Sequence, residues 1–251
     1  MKNTNGEHEM IQKDEQLLNI YYVIQIILFL IIKVMEQLLK VPGQGDPGLP
    51  GSALAMMRYS VIVCNFLLIV YLHSKYGQRF HLCDNLIPLA FAFTLMADTC
   101  MCVMKDARPM GYLLFTLVET IYMIYMKPTW KSIAARLTLY AVMLFVLKRV
   151  GMLDLSNALA MANIVQLTVN LFCAWIQKFK VKSRETLFFA LGITLFVGCD
   201  YSILVRTLAE KLLSVSHPVY LVAAFLVWTC YIPSQVLLLR SYVEKIQIKK
   251  Q

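Results

Sequence analysis

Long apolar stretches recur from one end of the chain to the other, and that recurrence constrains the fold more than any other feature. Runs of about 20 residues with few charges are what a transmembrane helix requires, because a bilayer core about 30 Å thick is crossed at 1.5 Å per residue. Eight such runs are readable, over residues 17–39, 53–73, 85–104, 110–127, 134–149, 155–177, 187–206 and 218–240. Residue composition agrees: 59% of the 251 residues are hydrophobic, only 16% are charged, and the mean hydropathy is +0.63. A single water-soluble core cannot hide that much apolar surface, and a disordered chain needs the opposite composition. Period-two alternation is missing, which argues against a membrane barrel. Helices are the remaining way to satisfy the backbone in lipid. The expected fold is therefore all-α, a polytopic membrane protein of eight transmembrane helices.

The segments outside the runs are informative. Residues 1–16 are polar and lack a basic n-region, so they read as a mature tail and not a signal peptide. The expected organisation is this tail, a membrane domain over 17–240 and a basic C-terminal tail over 241–251. The stretch VPGQGDPGLPG at 41–51 reads as a turn-rich linker. With eight spans both termini share a side. That side collects 15 Lys and Arg residues, among them Lys127, Lys131 and Arg136, against 8 on the other, which include Arg58 and Arg206. The positive-inside rule then places both termini in the cytoplasm, with a bacterial cytoplasmic membrane as the first expectation and the endoplasmic reticulum as the alternative. The net charge of +9 follows from this topology and from attraction to anionic headgroups. No basic, water-facing surface suited to nucleic acid is apparent.

Cysteine and histidine give little. Seven cysteines occur without a Cys-x-x-Cys, an odd number that argues against a disulfide framework. His81, Cys83 and Asp84 cluster at a loop, but no second cluster completes a metal site, so none is expected. The signal is instead in three carboxylates buried in apolar helices: Asp98, Glu119 and Asp200. A charge at the bilayer centre costs about 2.5–3.5 kcal/mol on insertion scales, so such residues face the bundle interior. Asp98 and Asp200 lie 102 residues apart, each 13 residues past the start of its run, which is compatible with a parallel four-plus-four repeat. Both runs travel the same way, so the two acids share one level about 20 Å from their cytoplasmic ends. Asn163, Gln166, Tyr231 and Gln235 approach that level, Tyr122 shares a face with Glu119, and Arg58 sits near an outer helix end. A carboxyl removed from water favours its proton-carrying form, as a general acid requires, while an ionised partner serves as base or stabilises a cationic transition state. That division of labour suits a hydrolysis that passes through an oxocarbenium ion.

At these residues the sequence resembles the YhhN-like lysoplasmalogenase family of eight-span membrane hydrolases. Phe-Thr-Leu-Met-Ala97-Asp98-Thr is similar to the family's apolar-Gly-Asp segment, with Ala97 in place of Gly. Phe115-x-x-x-Glu119-x-x-Tyr122 resembles its Phe…His…Tyr pattern, with Glu119 for His. Gly192-x-x-x-Phe196-x-x-Cys199-Asp200 resembles Gly-x-x-x-Phe-x-x-Ser-Asp, with Cys199 for Ser, and Tyr231-x-x-x-Gln235 resembles Tyr-x-x-x-Gln-x-Leu-Ile. The resemblance implies hydrolysis of the vinyl-ether bond of a lysoplasmalogen, a one-chain alkenyl lysophospholipid, to a fatty aldehyde and a glycerophospho-base. That chemistry needs an acid, an anion and a water, and neither metal nor cofactor. The expected catalytic residues are Asp98, Asp200 and Glu119. Tyr122, Asn163, Tyr231, Gln235 and Arg58 are expected to bind substrate, with Arg58 on the phosphate. The expected partners are the lysolipid and the surrounding membrane lipids. Alternatives of other classes are a transporter or proton-coupled carrier, in which the carboxylates relay protons, and a non-catalytic lipid-binding member of the same family.

Overall fold

A computed structural model describes residues 4–38, 49–76, 85–104, 107–213, 215 and 217–248. Within them lie eight α-helices: α1 Thr4–Leu38, α2 Leu49–Tyr76, α3 Leu86–Cys102, α4 Arg108–Tyr125, α5 Trp130–Arg149, α6 Leu155–Val181, α7 Arg184–Leu212 and α8 Pro218–Ile248. Each corresponds to one apolar run, and no strand occurs among the described residues. Six of them are long and apolar enough to cross a membrane, α3 is a shorter apolar helix, and α4 is an 18-residue helix carrying Arg108 and Glu119. The protein is an all-helical, polytopic membrane protein. The linker read at 41–51 ends earlier than expected, since α2 already begins at Leu49; residues 41–48, like His81, Cys83 and Asp84, lie outside the described residues. At the ends of the chain, helix extends over residues 4–16 and 241–248.

The contacts divide the chain into two units, Met1–Val61 and Ile62–Gln251, with the boundary inside α2. In the first unit α1 exposes Ile20, Val23, Ile26, Leu30 and Val34, the surface expected of a helix whose solvent is hydrocarbon. Its buried Gln25 donates from Nε2 to the Tyr21 hydroxyl at 2.8 Å, one turn back.

The second unit holds every acid singled out above. Local signals define its helices. Thr129, Asp154 and Ser183 cap α5, α6 and α7 by accepting from the backbone N–H three residues on, which satisfies donors that the first turn leaves orphaned. On α4 the buried positions 111, 114, 115, 118, 119, 121 and 122 follow the spacing of one helical face. Helix α4 packs on α3 and α6, α6 also on α5 and α7, and α7 most extensively on α8. The α7–α8 pair runs antiparallel and very close. A Cβ at Gly192 would meet Leu238 Cγ at 2.8 Å, and one at Gly198 would meet Cys230 Sγ at 3.2 Å. Farther along the same seam Ala209 packs with Tyr220 and Ala224. Small residues at such a seam let membrane helices gain dispersion contact. In α8, Pro233 lies inside the helix and offers no N–H to the carbonyl four residues back; Tyr231, Ser234 and Gln235 cluster around this gap.

Candidate active site

Five helices of the second unit supply the site: α3 with Asp98, α4 with Glu119, α6 with Asn163 and Asn170, α7 with Asp200, and α8 with Tyr231 and Gln235. Asp98 is buried, and the Tyr231 hydroxyl of α8 donates a short hydrogen bond to its Oδ2. Asp200 is half-buried, and Asn163 Nδ2 donates to its Oδ2 at 3.1 Å. Each aspartate is thus held through one oxygen by one donor from another helix, and the second oxygen of each is left for other chemistry. Asp200 lies within electrostatic range of both Asp98 and Glu119, so the three acids form one neighbourhood.

Aromatic rings form one side of that neighbourhood. Phe196, one turn before Asp200, packs edge-on against Phe115 at 5.9 Å and tilted against Tyr231 at 5.7 Å, and Tyr231 meets Trp228 edge-on at 5.6 Å. The Phe115 and Phe196 positions noted in the sequence therefore touch.

Glu119 is fully buried. Its partner is Asn170, whose Nδ2 donates to Glu119 Oε2 at 2.7 Å and to the Glu119 carbonyl at 2.9 Å. Asn170 Oδ1 in turn accepts from Arg136 Nη2 at 2.5 Å, and Arg136 Nη1 donates to the Ser132 carbonyl at 3.0 Å. A second link ties α5 to α4 through α6: Tyr140 donates to Gln166 Oε1 at 3.0 Å, and Gln166 Nε2 to Thr120 Oγ1 at 3.3 Å. Tyr122 packs edge-on against Phe189. Among the described residues, three buried polar atoms of the expected residues of the second unit have no hydrogen-bond partner: Glu119 Oε1, Asn163 Oδ1 and Gln235 Oε1. Buried polar groups are nearly always satisfied, by protein, ordered water or ligand.

Of the residues expected from sequence, Asp98, Glu119, Asp200, Tyr122, Asn163, Tyr231 and Gln235 all belong to the second unit. Arg58 belongs to the first unit, on α2, and is buried. Three residues were not anticipated. Asn170 was passed over, although it continues the spacing of Asn163 and Gln166 on one face of α6. Arg136 and Arg206, counted in sequence among flanking charges, are both buried within helices: α5 begins at Trp130 and draws Arg136 inside, and α7 continues to Leu212 and encloses Arg206. Arg206 lies about 9 Å along α7 from Asp200 at 1.5 Å per residue, and Tyr112 of α4 is within electrostatic range of Arg206, Arg108 and Asp200. Among the described residues no group of three or more His, Cys, Asp or Glu is arranged to hold a metal ion.

The chain matches the family model described as the YhhN family over residues 55–242, a span that begins within α2 and includes every one of these site residues. The chain belongs to the YhhN family. No curated protein and no solved structure matches it. Within this YhhN member, Glu119 and Cys199 are structurally distinct. Glu119 is committed to Asn170, whereas Cys199 is a buried free thiol beside Asp200.

Proposed function

We propose that this YhhN-family protein hydrolyses the vinyl-ether bond of a lysoplasmalogen within the membrane. The observation that carries the reading is the pair Asp98 and Asp200, each fixed through one carboxylate oxygen by Tyr231 or Asn163, with Asp98 buried and Asp200 half-buried. Enol ethers hydrolyse by protonation at the carbon remote from oxygen. One carboxyl of the pair gives that proton, and the adjacent carbon becomes an oxocarbenium ion, which the other carboxylate stabilises. A water molecule adds at that carbon and loses a proton to a carboxylate. The hemiacetal then breaks its C–O bond to release a fatty aldehyde and the glycerol hydroxyl. One water is consumed, and the pair ends in its starting protonation. The two acids share the roles of donor and acceptor as a unit.

The other groups have work suited to their positions. Asn163 Oδ1 and Gln235 Oε1, both buried and unsatisfied, accept from the glycerol hydroxyls or the water. Arg206, about 9 Å from Asp200 along the helix, takes the phosphate as a charge-assisted donor, in the role that sequence had assigned to Arg58. Glu119, held by Asn170, positions the water or the glycerol oxygen.

The test is aldehyde release from a 1-alkenyl lysophosphatidylethanolamine by the purified protein, with Asp98→Asn and Asp200→Asn beside it. The expected result is release by the parent protein and loss of at least a hundredfold in either variant, within the range contributed by a positioned acid or base. No aldehyde from the parent, or an unchanged rate in either variant, overturns the proposal.

A further inference from the structure

A second constellation of charge lies away from the acids. The helix ends formed by the C-terminus of α4, the N-terminus of α5 and the C-terminal half of α6 line an open-sided cavity of about 190 Å³. Its polar lining is Lys127, Thr129, Ser132, Arg136, Gln177 and Lys180, and its apolar lining includes Met123 and Ile176. Three cations thus converge with no carboxylate among the lining residues. Two of them, Lys127 and Lys180, are exposed.

Arg136 decides what this cavity is for. Its side chain is only 3% exposed. Nη1 and Nη2 are engaged by the Ser132 carbonyl and the Asn170 amide, both neutral groups. Among the described residues Nε is buried with no hydrogen-bond partner, and Glu119 reaches the guanidinium only through Asn170. A buried cation without a directly paired anion is costly, and here it borders a cavity that two lysines flank. The cavity is smaller than the 300–1,000 Å³ of a site that swallows a drug-sized ligand; it suits a headgroup and not a whole lipid. Met123 and Ile176 supply apolar surface beside the cations, as an amphiphile requires.

The cavity is separate from the acid pair. Asn163, Asn170 and Gln177 succeed one another every seven residues on α6. Asn163 bonds Asp200, Asn170 bonds Arg136, and Gln177 lines the cavity. From Asn163 to Gln177 the helix advances about 21 Å, farther than a glycerol unit separates a phosphate from a vinyl ether. A lysolipid whose ether reaches Asp98 and Asp200 therefore does not place its own phosphate here.

We propose that this cavity is a second site, which binds the phosphate of an anionic membrane lipid at the membrane face. Basic pockets between membrane helices recognise such headgroups through charge and hydrogen bonds together. The bound phosphate neutralises Arg136 and, through Asn170, bears on Glu119. The binding site stands whether or not the protein hydrolyses vinyl ethers.

The test measures binding and not turnover. The purified full-length protein in neutral detergent is titrated with dioctanoyl phosphatidate, with dioctanoyl phosphatidylcholine and with inorganic phosphate, and lipid adducts and thermal midpoint are read by native mass spectrometry and a thermal shift assay. Phosphatidate is expected to bind and raise the midpoint, with phosphatidylcholine at least tenfold weaker. The exposed double variant Lys127→Gln/Lys180→Gln is expected to lose at least tenfold in phosphatidate affinity, and Arg136→Gln to lose more if it folds. A midpoint rise with inorganic phosphate equal to that with phosphatidate identifies a free phosphate site and overturns the lipid assignment. Equal binding of the two lipids, or unchanged phosphatidate affinity in the lysine variant, overturns the site itself.

Discussion

Asn170 joins three helices, and its replacement gives a sharp test of how the site is built. The fully buried amide makes three hydrogen bonds: two from Nδ2 to Glu119, at 2.7 and 2.9 Å, and one received from Arg136 at 2.5 Å. Hydrogen bonds between membrane helices average about 0.6 kcal/mol, so losing three removes about 2 kcal/mol. Stranding a buried guanidinium costs more than the bond itself, toward about 3–5 kcal/mol where no water reaches it. Asn170→Ala is therefore expected to destabilise the protein by about 2–4 kcal/mol, measured by reversible unfolding in mixed micelles with dodecyl sulfate and followed by tryptophan fluorescence. A double-mutant cycle with Glu119→Ala isolates the link to the acid, and a coupling of about 1 kcal/mol or more is expected for groups in contact. A loss below about 0.6 kcal/mol, no more than one average bond, would refute the view that this amide ties α4, α5 and α6 together. A coupling of zero would refute its hold on Glu119.

Two further outcomes follow from the same geometry. Tyr231→Phe keeps the ring between Phe196 and Trp228 but removes the donor to Asp98; aldehyde release is expected to fall by about tenfold to a hundredfold in kcat with KM little changed, the worth of one hydrogen bond to a charged group, and a pure KM effect would contradict a role for that hydroxyl at the acid. Gly192→Val places a branched side chain where Leu238 Cγ is already 2.8 Å from a bare Cβ; the expected cost is about 1–3 kcal/mol in the same unfolding assay, partly restored by Leu238→Ala, and absence of that rescue would show that the two helices do not meet at this point.

The helices were legible because lipid imposes a length and a composition that irregular segments do not share. Their ends were less so. Thr129 caps α5 five residues before the expected start at 134, since a cap is a hydrogen bond and leaves no mark on hydropathy. That short extension moves Arg136 from the edge of the expected run at 134–149 to the second turn of α5. The acids themselves stood out, because an ionisable group in an apolar run has few explanations. Their partners did not. Nothing in the spacing distinguishes Asn163, which reaches Asp200, from Asn170, which reaches Glu119; pairing depends on how α6 is rotated against α4 and α7, a property of packed side chains along several helices at once. The repeated interval of seven from Asn163 through Asn170 to Gln177 was present in the sequence, but each residue alone reads as ordinary interhelical glue.

The glycine contacts at 192 and 198 have a consequence for how a greasy substrate gets in. Asp200 and Tyr231 ride on two rods jammed together with no slack between them, so that side of the chamber is a fixed wall. On the proposed function, the yielding that admits an alkenyl tail is then supplied by the other helices, and the reactive end of the lipid meets the α7–α8 face where the two helices are in close contact.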